Sequence, residues 1–318
     1  MTIRAEPTNQ KVMNVSHQGE HLLPTGVREA FDPHFTAAVR AFAKLFQGPR
    51  YGGGALSVYL HGRRVVDVWT GWADRHGTRL WTADTGALAF SSTKGLTSAV
   101  IHRLVDRGLL SYDVPVTQFW PEFGANGKAK LTVRDIMAHR AGLSRLTGVT
   151  TTELLDTRRM EERLAAAPAD GLVGRSAYHA LTYGWLLSGL ARSVTGKGMR
   201  ELFRTELAEP LDTDGLHLGR PALRAPTTAA QTLLPQSATV SAAFDVLAPR
   251  LSALPLSGML GALHAPGVLG LLQGDMGFLD AEIPSANAVV TARALAKTYG
   301  AIANGGLGPQ HPRPNQPS

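Results

Sequence analysis

Ala89-Phe90-Ser91-Ser92-Thr93-Lys94-Gly95 places a hydroxyl and an amine three residues apart. If Ser91 opens a helix, Lys94 at i+3 lies on the same face, within reach of the Ser91 oxygen. The residues that follow support a helix: Leu96, Val100, Ile101, Leu104 and Val105 recur at helical spacing, and Gly108 stands where a C′ glycine stops the segment. A serine hydroxyl becomes a useful nucleophile when a nearby base takes its proton. Lysine is such a base only while its amine is neutral, and burial and the positive end of a helix both lower its pKa. With 16 Ser and 7 Lys in 318 residues, about one Ser-x-x-Lys arises by chance in every three such chains. Taken alone, the spacing also fits Ser91 as an ordinary N-cap and Lys94 as a solvated first-turn residue.

The totals around this stretch bound the answer. A chain of 318 residues, 44% hydrophobic and 18% charged, holds a full globular core as one large domain or two interleaved ones. The formal charge of +7 is spread along the chain without a Lys/Arg run or an aromatic-studded basic stripe, so nucleic acid is not an expected partner. With no cysteine, disulfides, thiolate zinc sites and cysteine nucleophiles are excluded together. The eleven histidines are scattered, and neither metal nor cofactor is expected. Residues 1–14 are polar and carry no apolar core of a signal peptide, which makes a cytoplasmic location the expectation.

Upstream of Ser91, the apolar residues Phe35, Val39, Phe42, Leu45 and Phe46 mark one face of an amphipathic helix that packs on a sheet. Residues 55–60, a His61-Gly62 turn and residues 64–69 read as a β-hairpin. The preceding glycine triplet, 52–54, is no phosphate loop, because it comes before a strand rather than between a strand and a helix. Trp69, Trp72 and Trp81 read as packing residues.

Downstream, Pro115 marks a turn and residues 119–123 a packed loop. Residues 131–143 begin with Thr132-x-x-Asp135, a variant of the capping box, and stop at Gly142, so they read as a short helix. His139, near its C-terminus, reads as structural in preference to catalytic, since it can bond the last free carbonyls. Tyr178-His179-Ala180-Leu181-Thr182-Tyr183-Gly184 reads as a tyrosine-bearing turn entering a helix that ends at Gly196. Another helix runs through Leu202, Phe203 and Leu207, and a last one spans residues 292–303, ended by Asn304-Gly305-Gly306. Between them, residues 225–274 carry only Asp245 and Arg250 as charged side chains. Pro255, Pro266 and five glycines interrupt that stretch, so no transmembrane helix is expected. It reads instead as a lid or wall over an apolar pocket, or a buried loop layer.

In this order the motifs resemble the penicillin-recognising serine hydrolases, and among them most closely the β-lactamase-related esterases. Phe90-Ser91-Ser92-Thr93-Lys94-Gly95 is similar to their Ser-x-x-Lys box, and the segment from Leu131 through His139-Arg140-Ala141-Gly142-Leu143 to the helix and turn that follow it. Tyr178-His179-Ala180 occupies the place of their Tyr-x-Asn box, with Tyr183 as the alternative tyrosine. Val194-Thr195-Gly196-Lys197, Pro210-Leu211 and the Asn304-Gly305-Gly306 end are further landmarks. The resemblance implies an α/β (α+β) fold of β-lactamase/transpeptidase type, an antiparallel sheet flanked by helices with a helical domain beside it. Residues 1–306 would form that domain, with a helical subdomain over about 80–220 and the low-charge insert over about 225–275; residues 307–318 read as a disordered tail.

The resemblance also implies a chemistry: Ser91 attacks an ester or amide carbonyl, Lys94 and Tyr178 handle its proton, and the Ser91 backbone N–H is one oxyanion donor. Two departures shape the expectation. Ala180 stands where the β-lactamases carry Asn, which turns the reading toward a carboxylesterase acting on a small-molecule ester of short or medium acyl length. No Lys-Thr-Gly or His-Gly-Gly box occurs, so the resemblance implies that the final sheet strands are missing. That leaves open a silent, ligand-binding relative or remnant as the second reading, and a β-lactamase or D-alanyl-D-alanine carboxypeptidase-like enzyme as the third. The sequence does not determine the oligomeric state.

Overall fold

A computed structural model describes residues 31–46, 52–146, 148–232 and 276–306. The chain opens with a helix, α1 (Thr36–Lys44), and a hairpin of β1 (Gly53–Leu60) and β2 (Arg63–Gly71). His61 and Gly62 make the hairpin turn, both with positive φ. β1 and β2 are antiparallel, from Gly53 opposite Gly71 to Leu60 opposite Arg63. Alternation along the strands sends Leu56, Val58, Val66 and Val68 to one face, where they pack with Val39, Phe42 and Ala43 of α1 in a small core. The amphipathic helix therefore covers the sheet as its pattern implies, except that it ends at Lys44 and leaves Leu45 77% exposed.

β3 (Thr85–Leu88) leads into α2 (Thr93–Asp106), and α3 (Val133–Met137), α4 (Thr151–Leu155), α5 (Thr157–Ala166), α6 (Thr182–Thr195) and α7 (Met199–Leu202) follow. A π-helical segment, Phe203–Ala208, continues α7, and β4 (Leu216–Leu218), β5 (Thr228–Ala229), α8 (Met276–Asp280), β6 (Ala288–Val290) and α9 (Ala292–Ala303) come after it. The second sheet has the order β4-β6-β3-β5. Its β4–β6 and β6–β3 pairs are antiparallel and its β3–β5 pair is parallel, so the sheet is mixed where an antiparallel one is expected. The parallel pair exists because the chain returns from β4 to the far edge of the sheet.

The main core lies between α2, α5 and α6, with Leu96, Val100, Ile101 and Leu104 against Trp185, Leu186, Leu187 and Leu190, and Met160 and Leu164 beside them. α6 can approach because Gly189 has no side chain: a Cβ there would lie 2.3 Å from the Trp120 ring. Trp81 is buried, and Trp120 and Phe123 fill the packed loop after Pro115. Thr132 caps α3 in a full capping box with Asp135. That helix is shorter than its sequence pattern implies, because His139 adopts φ 59° and breaks it one turn before Gly142. α9 lies on the other face of the hairpin, where Gly300 meets Tyr59 and Arg293 reaches Asp67. Residues 233–275, which include most of the low-charge insert, and residues 307–318 lie outside the described residues. Among the described residues no helix is long and apolar enough to cross a membrane.

Candidate active site

β3 delivers the chain to Ala89, whose N–H donates to the Ala288 carbonyl on β6. Phe90 then takes φ 45°, a left-handed conformation unusual for a bulky residue, and one 3₁₀ turn over Phe90–Ser92 feeds α2. A strained backbone residue beside a candidate nucleophile is where such strain tends to be stored. Thr93, the first residue of α2, accepts the Ala288 N–H on its hydroxyl at 3.1 Å. The start of α2 is thus bolted to β6 from both sides of Ser91, and Ser91 itself stays exposed.

Two groups converge on the Ser91 hydroxyl. Lys94 Nζ donates to Ser91 Oγ at 3.2 Å, and the Tyr178 hydroxyl donates to the same oxygen at 3.1 Å. Lys94 is buried, with its amine 5.1 Å from the Tyr178 ring centroid. Burial pushes the Lys94 amine below the usual lysine range, against the opposing pull of Tyr178. Burial raises the Tyr178 phenol, but its bonds to Ser91 and Lys94 and the charge of Lys94 outweigh that and hold it below its usual value. All three side chains singled out in the sequence meet at one oxygen. Tyr183, the alternative, does not: its buried hydroxyl pairs with Ser98 Oγ at 2.7 Å, two turns along α2.

The sequence reading missed the segment that holds Lys94 from behind. Lys94 Nζ also donates to the Ser285 carbonyl at 3.0 Å, and Thr97 Oγ1 donates to the Pro284 carbonyl at 2.6 Å. Ser285 Oγ accepts the Gly184 N–H and donates to the Leu181 carbonyl. Asn287, fully buried, accepts the Ile283 N–H and donates to the Phe278 and Ala281 carbonyls. The partner offered to Lys94 is a backbone carbonyl, which has no side-chain signature, so only the buried Ser and Asn hinted at it.

On the other side the turn after α3 grips the tyrosine segment. His139 Nδ1 accepts the His179 N–H at 3.1 Å, and the Ala177 N–H donates to the His139 carbonyl at 2.9 Å. His179 Nε2 accepts the Leu143 N–H at 3.1 Å. Its other nitrogen therefore carries the proton and donates to the Ala177 carbonyl at 2.5 Å. His139 is pushed down to about 4, chiefly by burial, so its ring is neutral.

An exposed serine backed by a buried amine and a phenol can lose its proton to one group while the other supplies one to a departing atom. Known proteins share this chain's architecture. It is 59% identical over 294 residues to a Mycobacterium tuberculosis (strain ATCC 25618 / H37Rv) protein named esterase/beta-lactamase LipL, covering 92% of this chain and 67% of that one. A penicillin-binding protein homologue from Caulobacter crescentus superposes with TM-score 0.72 at 31% identity, covering 88% of this chain and 72% of the other. A family VIII carboxylesterase does so with the same score, identity and coverage. The Beta-lactamase family profile matches residues 38–316. A β-lactamase/transpeptidase-like fold, a profile match over most of the chain and this degree of kinship lead to one conclusion: the chain belongs to the β-lactamase family and is a hydrolase.

Proposed function

We propose that the chain is a serine esterase that cleaves short or medium acyl esters through an acyl-enzyme on Ser91. The observation that carries this reading is the convergence of Lys94 Nζ and the Tyr178 hydroxyl on Ser91 Oγ, at 3.2 and 3.1 Å. In the reactive state Lys94 is a neutral amine. It gives one N–H to the Ser285 carbonyl and turns its lone pair to Ser91, taking the hydroxyl proton as Ser91 Oγ bonds to the ester carbonyl carbon. The carbonyl oxygen becomes an oxyanion, met by the Ser91 N–H in the 3₁₀ turn that feeds α2. As the ester C–O bond breaks, Tyr178 gives its proton to the departing alkoxide and recovers one from Lys94. Water then attacks the acyl-enzyme with the same groups working in reverse.

Two further points support an ester over a lactam. Ala180, a buried methyl 2% exposed, stands in the sequence where the resemblance to the β-lactamases would put the Asn of their Tyr-x-Asn box. The relatives named above include a carboxylesterase and a protein whose name puts esterase first. The test is hydrolysis of p-nitrophenyl butyrate and of nitrocefin by the purified chain and by Ser91→Ala. Butyrate turnover that the substitution abolishes is the expected result. Equal rates with and without Ser91 would sink the reading, and faster nitrocefin turnover would replace the esterase with a β-lactamase.

A further inference from the structure

Two tyrosines descend from the segment at residues 178–183 onto one face of α2. The Tyr178 hydroxyl reaches Ser91 and the Tyr183 hydroxyl reaches Ser98, seven residues and two turns further along. Ser98 spends its one hydrogen on the Lys94 carbonyl, at 2.8 Å, so Tyr183 must be the donor in its pair. That bond pins the Tyr183 ring to α2. The His139 imidazole stacks on that pinned ring, with centroids 4.5 Å apart and planes at 27°. It also meets the Tyr178 ring, at 5.3 Å and 45°, and the His179 ring, at 5.6 Å and 40°. His139 therefore fills the gap between the two tyrosines.

We propose that His139 is a positioning residue that sets the Tyr178 hydroxyl against Ser91, as a spacer stacked on the pinned Tyr183 ring and as acceptor of the His179 N–H. This rests on the reading of Tyr178 as the group that moves the proton. Tyr178 lies between Ala177 and His179, and both are bonded to His139: Ala177 through its N–H to the His139 carbonyl, His179 through its N–H to Nδ1. The acceptor role requires an unprotonated Nδ1, hence the neutral tautomer with hydrogen on Nε2. The surroundings favour that form, since burial of the ring disfavours its protonation. The backbone agrees. His139 sits at φ 59°, a conformation that Asn tolerates, so Asn can keep both the turn and an acceptor near the Nδ1 position.

The experiment compares His139→Leu, His139→Asn, Tyr178→Phe and the double variant Tyr178→Phe/His139→Leu. Turnover of p-nitrophenyl butyrate is expressed per Ser91 titrated by a fluorophosphonate probe, so that misfolded chains are not counted. His139→Leu is expected to lower kcat about 30-fold with KM changed by less than about threefold, and His139→Asn to recover most of that loss. The double variant is expected to match Tyr178→Phe alone, because a spacer has nothing left to position once the phenol is gone. An unchanged kcat per titrated site in His139→Leu, or losses that multiply in the double variant, would overturn the proposal. A second readout needs no turnover. Titrating the tyrosines by ultraviolet absorbance, with Tyr178→Phe as the difference reference, follows the Tyr178 phenol alone. The proposal has that phenol return to the ordinary range in His139→Leu. A phenol still held low would contradict it, whether or not the wild-type chain hydrolyses the ester, so failure of the esterase reading and failure of this one are told apart.

Discussion

At the scale of single residues, the proposed mechanism makes Lys94 the group that sets the pH at which the chain works. Only the neutral amine can take the Ser91 proton, so kcat/KM rises as the pH climbs through the Lys94 pKa. Burial has moved that pKa down from the usual lysine value. A pH–rate profile should therefore show its rising limb below about 10.4, the value of a free lysine; a limb at that value would mean that Lys94 is not the base. The two tyrosines make a second contrast. Tyr178→Phe removes a hydroxyl from Ser91 and should cost about 100-fold in kcat, as general acid–base groups do. Tyr183→Phe removes the bond to Ser98, and stopped assays with thermal melts should show about 1 kcal/mol of lost stability and a smaller loss of rate. Ser91, Lys94 and Tyr178 were legible in the sequence because each announces itself by a side chain at a fixed offset within an ordered set. Spacing could not separate Tyr178 from Tyr183, since both precede or enter the same helix; the distances of their hydroxyls along α2 do.

At the scale of elements, the site depends on how closely α6 meets the segment at residues 282–288. Gly184 lies at that contact: a Cβ there would stand 2.5 Å from the Pro284 carbonyl carbon and from the Ser285 nitrogen. Gly184→Ala should push Ser285 back, lengthen its bond to Lys94 and lower kcat, besides destabilising the chain by about 1–3 kcal/mol through overpacking. Gly189→Ala on the same helix supplies the control. It crowds the Trp120 ring at 2.3 Å, away from Ser91, and should destabilise to a similar degree while leaving turnover per titrated site intact. Equal kcat losses in the two variants would show that the effect is loss of folding and not displacement of Ser285. The helices themselves were mostly readable: Thr132 and Asp135 cap α3, Gly196 ends α6 in a left-handed turn, and α9 runs over Ala292–Ala303 as its pattern implies. The strands β4, β5 and β6 were not, because two or three residues are too few to establish alternation.

At the scale of the molecule, the described residues form two hydrophobic clusters, a small one under the hairpin and a large one around α2 and α6. α9 lies on β1 and follows directly from β6, the strand that holds the start of α2. Asp67 of β2 fastens this link. It is 6% exposed and accepts from Arg293 of α9 at 2.6 Å and from Arg64 at 2.9 Å. Asp67→Asn leaves both guanidinium groups without their carboxylate. Because each is partly open to water, the loss should be about 2 kcal/mol, short of the cost of a fully buried pair. Chemical denaturation should show it as a lower midpoint, and an unchanged midpoint would mean that the hairpin is held by apolar contact alone. The sequence foretold the hairpin, its covering helix and the last helix, but not that an ion pair joins them, because Asp67 and Arg293 are 226 residues apart.

The central claim is that Ser91 is a nucleophile activated by its two neighbours, and covalent trapping tests it most directly. Intact mass spectrometry of the chain after diisopropyl fluorophosphate should show one added phosphoryl group, and peptide mapping should place it on Ser91. Ser91→Ala should take up none, and Lys94→Met should react far more slowly than the unaltered chain. A chain that stays unmodified, or that carries the group on another serine, would contradict the account.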